Sequence, residues 1–227
     1  MRVDKREARS FAELTKSIDM SRRIYIDCGA WIGTSVAYFK QHYGDERGYE
    51  IYAFECDPDC CQKLEEIDGV EILNQAIWTE NCVLDFFVGA PETSSLFKEK
   101  TTGKLDIEHP RQVQAVDFGS WLLSNTSEDD SVIVKMNVEG AEYPVLNQMI
   151  SDGSINRIRL LFVDWHWYKI GMRKSEHKQL VKKLESIEKL TLRRWSPIHR
   201  RGGAFRGKNT RFLRELIKMD ERCAITK

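Results

Sequence analysis

The chain has 227 residues, which suits one large domain with a full core and is short for two enzyme domains. Hydrophobic residues at 41% and charged residues at 31% are ordinary globular values and exclude a disordered or fibrous class. Formal charge is zero overall, but Lys189 to Lys227 holds twelve Lys/Arg against three Asp/Glu, so residues 1–188 carry nine net negative charges.

The first segment, MRVDKREARSFAELTKSIDM, lacks an apolar signal core, and no apolar run approaches the roughly 18 residues of a membrane span. A soluble, cytoplasmic protein is expected. Ala8, Phe11, Leu14 and Ile18 recur at helical spacing and predict an amphipathic lead-in helix over residues 1–21.

The main domain is expected over residues 22–195. Short apolar runs alternate there with helical ones. IYID is followed by a helix from about Thr34 to His42, and IYAFE by a helix after Pro58 to about Ile67. VEIL comes next, then SVIVKMNV, a helix around Ala141 to Ile150, and RLLFVDW. A charged helix from Ser175 to about Lys189 precedes LTLRRW. Continuous apolar strands separated by helices predict βαβ units, hence an α/β, doubly wound, mostly parallel sheet with helices on both faces. Between VEIL and SVIVK the rhythm breaks: VLDFFV and VQAVDF read as two inserted strands over about 82–118, with the long connection TSSLFKEKTTGKLDIEHPR between them. Residues 196–227 form a basic extension that either meets an anionic partner or is a solvated face balancing an acidic body.

Six cysteines, at positions 28, 56, 60, 61, 82 and 223, form no disulfide framework, and several sit in apolar runs. CDPDCC has no CxxC spacing, no second pair and no nearby histidine, so no metal is expected.

In an open α/β sheet ligands bind beyond the carboxyl ends of the strands. The first strand ends in Asp27-Cys28-Gly29-Ala30-Trp31-Ile32-Gly33. Its glycines allow a tight turn and close approach to a ligand, and the next helix opens with free N–H groups. The second strand ends in Glu55, an acid placed to accept both hydroxyl hydrogens of a ribose. The pyrophosphate fingerprint G-x-G-x-x-G is absent, and Asp27 would repel a pyrophosphate but suit an amine or sulfonium, as in S-adenosylmethionine. SVIVKMNVEGAEYPVL then delivers Lys135, Asn137, Glu139 and Glu142 around Gly140. Asn137 and Glu139, near the strand tip, point to a site. Glu142 fits a site or a helix-dipole acid equally well.

IDCGAWIG, AFECDP, AIW after VEILNQ, SSLF, VKMNVEGAE and VDWH resemble the FkbM-type methyltransferases in order and spacing over roughly residues 22 to 168, most specifically in K-x-x-x-E-G-x-E. The resemblance implies a class I S-adenosylmethionine-dependent fold with a seven-stranded sheet and O-methylation of a hydroxyl on a sugar, glycan or small metabolite. It puts Asp27, Gly29, Ala30 and Gly33 around the methionine part of the cofactor, Glu55 on the ribose, Ala76 and Ile77 beside the adenine, and Lys135 and Glu139 on the reaction side. Trp31 stands where the family generally has a small polar residue, often Asn. Asn137 stands where it usually has Asp, which removes a charge that would serve as base or metal ligand.

A hydroxyl acceptor also loses a proton. His166 in FVDWHWYK is the candidate base, with Asp164 as its orienting partner; the competing reading is a histidine packed between Trp165 and Trp167. Trp165, Trp167 and Tyr168 read equally as an aromatic wall beside the acceptor or as core, and Ser94, Ser95 and Phe97 as a lid or an acceptor-selecting loop. Two rival functions remain open: a nucleic-acid methyltransferase using the basic tail, which the lack of an Asn-Pro-Pro-Tyr-like element disfavours, and a cofactor-binding protein without catalysis.

Overall fold

The computed structural model describes residues 22–90, 93–195, 199–201, 204–206 and 216. The lead-in helix expected over residues 1–21 lies outside them, as does most of the basic extension.

Six strands form one sheet, β1 (Arg23–Cys28), β2 (Tyr49–Phe54), β3 (Glu71–Leu73), β7 (Ser131–Met136), β8 (Ile158–Val163) and β9 (Thr191–Arg194), in the order β3-β2-β1-β7-β8-β9. Every neighbouring pair is parallel. The central strands are buried on both faces, which is why β1, β7 and β8 read as unbroken apolar runs rather than alternating ones. The chain builds outward from β1 to β2 and β3 and then crosses back to β7 on the other side of β1. That reversal opens a crevice at the carboxyl ends of β1 and β7.

Helices α1 (Thr34–Phe39), α2 (Pro58–Leu64), α3 (Phe118–Asn125), α4 (Glu142–Asp152) and α5 (Lys174–Glu185) cover both faces. Ile24, Ile26, Val132 and Val134 pack on one face against Leu122 of α3, Leu146 and Met149 of α4, and Leu180 and Leu184 of α5. Tyr25, Ile133 and Phe162 pack on the other against Val36 and Phe39 of α1 and Leu64 of α2. Each such buried side chain contributes about 1.5–3 kcal/mol. Local signals set the helix ends. Asp57 caps α2 by accepting the Asp59 N–H at 3.0 Å, with Pro58 at the first helical position. Gly153, at φ 82°, stops α4. Two predicted helices are shorter than their periodicity suggests: α1 passes into a π-turn at Lys40–Gly44, and α2 ends at Leu64. Among the described residues no helix is long and apolar enough to cross a membrane.

Among the described residues the main sheet has six strands, where seven are expected. β4 (Ala76–Trp78), β5 (Cys82–Phe86) and β6 (Arg111–Asp117) form a separate three-stranded sheet in the order β4-β6-β5, which contains both inserted strands. Beyond β9, β10 (His199–Arg201) and β11 (Ala204–Arg206) pair with each other in antiparallel fashion, and among the described residues with no other strand. A strand reading His-Arg-Arg is ill suited to a parallel sheet, whose strands are buried on both faces. On the α1 face the Tyr43 hydroxyl donates to the Leu216 carbonyl at 2.9 Å, and Leu216 itself is fully buried.

Candidate functional site

The turn after β1 is left-handed three times, at Gly29 (φ 73°), Trp31 (φ 51°) and Gly33 (φ 80°). Gly29 is obligatory, because a Cβ there would lie 2.1 Å from the Asn137 carbonyl oxygen. Gly33 lets α1 approach the end of α2, where a Cβ would lie 2.4 Å from Ile67 Cδ1. The Gly29 and Ala30 N–H groups donate to the Phe54 carbonyl, and the Asn137 N–H to the Cys28 carbonyl, so the tips of β2, β1 and β7 are drawn together.

Glu55, at the tip of β2, is nearly buried and holds that junction from the second strand. One carboxylate oxygen accepts the Trp31 N–H at 2.8 Å and the other the Asp57 N–H at 2.9 Å. Burial pushes its carboxyl above the usual range, and the two N–H donors offset part of that shift.

Beneath the turn Lys135 of β7 donates to Asp27 at 2.7 Å and to the Gly29 carbonyl at 2.8 Å. Asp27 also accepts from the hydroxyls of Ser35 and Tyr25 and has no solvent exposure. Its charge is matched from within the protein.

The turn from β7 to α4 carries a second strained residue, Glu139, at φ 50°. Next to it Gly140, at φ 123°, leaves room for Phe97 and Ile170, which a Cβ would approach to 2.8 Å. The Glu139 carboxylate gathers three cations, Lys100 at 2.7 Å, Lys169 at 3.0 Å and His166 Nε2 at 3.2 Å. Burial alone would raise its carboxyl; His166 and Lys100 overcome that and hold it down to about 2. His166 is buried, and its Nδ1 and main-chain N–H both meet one oxygen of Glu142, at 2.9 and 2.8 Å. Burial would lower the imidazole, but Glu139 and Glu142 raise it to about 9. The other Glu142 oxygen accepts the Gly140 N–H at 2.9 Å.

The inserted connection is fastened to the same turn. The Ser95 hydroxyl donates to the Glu139 carbonyl at 2.8 Å and accepts the Phe97 N–H, while the Ser94 hydroxyl accepts the Gly89 N–H. Lys100, buried, reaches the Glu139 carboxylate and the Thr93 carbonyl. Together the strand tips and this connection enclose a cavity of about 480 Å³ at the carboxyl ends of β1, β2 and β7.

Of the residues expected at a cofactor, Gly29, Ala30, Glu55, Ala76 and Ile77 line this cavity, as do Lys135, Asn137 and Glu139 from the expected reaction side. Ser94 and Ser95 line it as well, and Phe97 packs behind them. Asp27 and Gly33 do not line it: Asp27 lies under the floor, and Gly33 faces α2. His166 does not line it either. An imidazolium bound at both nitrogens is a charged strut, which corrects its expected role as a neutral base. Asp164, 3.7 Å from His166 Nε2, is too far for the orienting hydrogen bond expected of it. Trp165, Trp167 and Tyr168 line a different cavity, because Trp167 turns toward α5 and stacks on His177.

Asn137 contributes a buried side-chain oxygen that has no hydrogen-bond partner. Trp195 lines the cavity at the tip of β9, a position that the rule of strand ends would have found, and its ring stands 5.7 Å from the Lys135 ammonium. Lys100 carries no such signal, since it sits in a stretch that reads as solvated, and Lys169 is a lone lysine after the aromatic WHWY whose pairing with Glu139 appears only in the fold. Burial raises the thiols of Cys60 and Cys61 to about 12 and about 11, so neither is a thiolate at neutral pH. Among the described residues no three His, Cys, Asp or Glu side chains form a metal-holding group.

The family model of the methyltransferase FkbM domain matches residues 27–191. A solved FkbM methyltransferase from Methylobacillus flagellatus KT is similar at 15% identity and a TM-score of 0.36, over 58% of this chain and 29% of that one. The present chain thus spans under a third of that protein's length. No curated protein matches. With 27–191 matched, a range that runs from the acid at the tip of β1 to the start of β9, the chain belongs to the FkbM methyltransferase family.

Proposed function

We propose that the chain is an S-adenosylmethionine-dependent methyltransferase that O-methylates a hydroxyl on a sugar, glycan or small metabolite. The observation that carries this reading is Glu55, a nearly buried carboxylate at the tip of the second strand, facing the cavity with one N–H bound to each oxygen and acceptor capacity to spare. Such a group matches the paired hydroxyls of a ribose. Ala76 and Ile77 offer apolar walls for an adenine, and the unpartnered Asn137 oxygen suits an ammonium or hydroxyl donor. The residues therefore fit the cofactor.

What S-adenosylmethionine supplies when bound is a methyl group on a sulfonium, open to in-line displacement by an oxygen nucleophile. The chain's own contribution is positioning. Lys135 and Asp27 fix the first turn from below, and Glu55 fixes it to the second strand. Glu139, ionised at all working pH values, accepts a hydrogen bond from the acceptor hydroxyl and orients its oxygen. Held by three cations it is too weak a base to take the proton and acts as an anchor, so the acceptor's hydroxyl proton is released to water as its oxygen gains the methyl and the sulfonium would become a neutral thioether. Ser94 presents a further polar group, and Val88 and Leu96 apolar ones, on the cavity wall formed by the inserted connection.

The test is calorimetric titration of S-adenosylhomocysteine into the wild type, Glu55→Gln and Glu55→Ala, with NAD as control. Micromolar binding to the wild type, weaker in Glu55→Gln and lost in Glu55→Ala, supports the reading. Labelled S-adenosylmethionine with a panel of hydroxyl compounds then reads the transfer. Absence of S-adenosylhomocysteine binding to the folded wild type would overturn it.

A further inference from the structure

A second cavity, of about 440 Å³, lies at the carboxyl ends of β8 and β9 beside α5. Its volume falls within the range of small-ligand sites. Tyr168 and Trp167 make a corner there: their rings meet at 82° with centroids 5.9 Å apart, and Tyr168 is 57% exposed. The remaining wall mixes apolar Trp165, Val181 and Leu192 with polar His177 and Glu185 from α5 and Arg194 from β9.

The tautomer of His177 follows from its neighbours. The Trp167 N–H donates to the Tyr143 hydroxyl at 3.1 Å, and that hydroxyl lies 3.1 Å from His177 Nδ1. Burial lowers the imidazole's proton affinity, so it is neutral at pH 7. The Trp167 N–H occupies one lone pair of the hydroxyl, and the hydroxyl's own hydrogen goes to the acceptor within reach, Nδ1, which leaves the imidazole proton on Nε2 and makes His177 a hydrogen-bond donor. The cavity thus combines aromatic faces, a neutral donor, a carboxylate acceptor and the exposed guanidinium of Arg194, while the Arg193 guanidinium donates to the Leu192 carbonyl at 2.8 Å. Aromatic faces carry negative charge density that attracts the positive C–H groups of a sugar ring, and guanidinium pairs bidentately with a carboxylate or phosphate. Perpendicular walls suit a puckered ring; a flat base stacks best between parallel ones.

We propose that this cavity binds a sugar ring carrying a carboxylate or a phosphate, the end of the acceptor that is not methylated. Both cavities open on the carboxyl edge of the main sheet, and the consecutive residues Arg194 and Trp195 line one each. The acceptor role rests on the methyltransferase reading above, whereas the sugar binding does not.

The experiment is calorimetry on the full chain without cofactor, using trigalacturonate, glucose 6-phosphate, neutral maltotriose and adenosine monophosphate. At least one anionic sugar binds below 1 mM, roughly 4 kcal/mol, and Arg194→Ala and Tyr168→Ala each weaken it about tenfold or more with the binding of S-adenosylhomocysteine unchanged. The stronger of the two anionic sugars identifies carboxylate or phosphate as the charge. Equal binding of maltotriose, preference for adenosine monophosphate, no anionic-sugar binding, or indifference to both substitutions overturns the proposal. Sugar binding in a wild type that takes no S-adenosylhomocysteine removes the acceptor role alone, so the two readings fail separately. Both substituted residues are exposed, so loss of folding does not confuse the result.

Discussion

Lys135 reaches Asp27 over 2.7 Å although 108 residues separate them in the chain, and both side chains are almost wholly buried. Removing one partner of such a pair leaves an unmatched charge in the interior, at a cost of about 3–5 kcal/mol. Lys135→Met should lower the thermal midpoint sharply, and the double variant Lys135→Met/Asp27→Asn should recover much of the loss. A thermal double-mutant cycle reads the coupling directly. Additive losses, with the double variant destabilised by the sum of the two single variants, would show that the pair is not coupled.

The pair of Glu139 and His166 sets a pH window. Glu139 is depressed to about 2, so its stabilisation is present above its ordinary carboxylate value and is lost as pH falls toward 2. His166 is raised to about 9, so its stabilisation is complete below its ordinary value near 6.5 and is lost as pH rises through 9. Stability should be highest between about pH 5 and 6.5 and should decline by on the order of 3 kcal/mol between about pH 6.5 and 9. Urea denaturation at a series of pH values should show that alkaline slope in the wild type and its absence in His166→Gln.

Gly29→Ala places a methyl group where the Asn137 carbonyl already stands and forces a left-handed backbone on a residue with a Cβ. The strain alone costs about 1–3 kcal/mol. The tips of β1 and β7 must part, and S-adenosylhomocysteine affinity should fall by at least about tenfold, equivalent to 1.4 kcal/mol. Unchanged affinity in a folded variant would show that this turn does not shape the cofactor site.

Trp31 is a bulky residue in the left-handed region, which asparagine tolerates far better. Trp31→Asn should gain up to about 1 kcal/mol of backbone strain relief while opening the cavity wall. Thermal denaturation and S-adenosylhomocysteine titration together separate the two effects. A lower midpoint would mean that the indole's packing outweighs its strain.

Much of the lining of the larger cavity is legible in the sequence, because it depends on strand ends. Unbroken apolar runs located β1, β2 and β7, and whatever follows such a run lies at the crevice, so Gly29, Glu55, Lys135 and Asn137 fell into place. The acid Asp27 was found by the same rule but misjudged in direction: a strand's last residues alternate between faces, and its partner Lys135 is visible only once β1 and β7 are paired in register. His166 was misjudged for a related reason. Its protonation depends on Glu139 and Glu142, which stand 27 and 24 residues earlier and meet it only through the turn into α4. Lys100 was invisible, since KEK in a polar stretch reads as solvent-facing while its ammonium is in fact buried against Glu139. Among the described residues no seventh strand joins the main sheet, and the sequence after β9 is too basic to read as a buried strand.

The sheet order also constrains how the protein is made. β1 is the first described strand to leave the ribosome, yet its register partner on one side, from Arg23 against Ser131 to Cys28 against Met136, is made more than a hundred residues later. Until β7 emerges, β1 and β2 form an incomplete parallel pair with an apolar edge and no finished core, and parallel pairing at this separation is slow. The nascent chain should therefore depend on chaperone protection until about Met136 is out. Fragments that stop before β7 should aggregate rather than form a smaller stable domain.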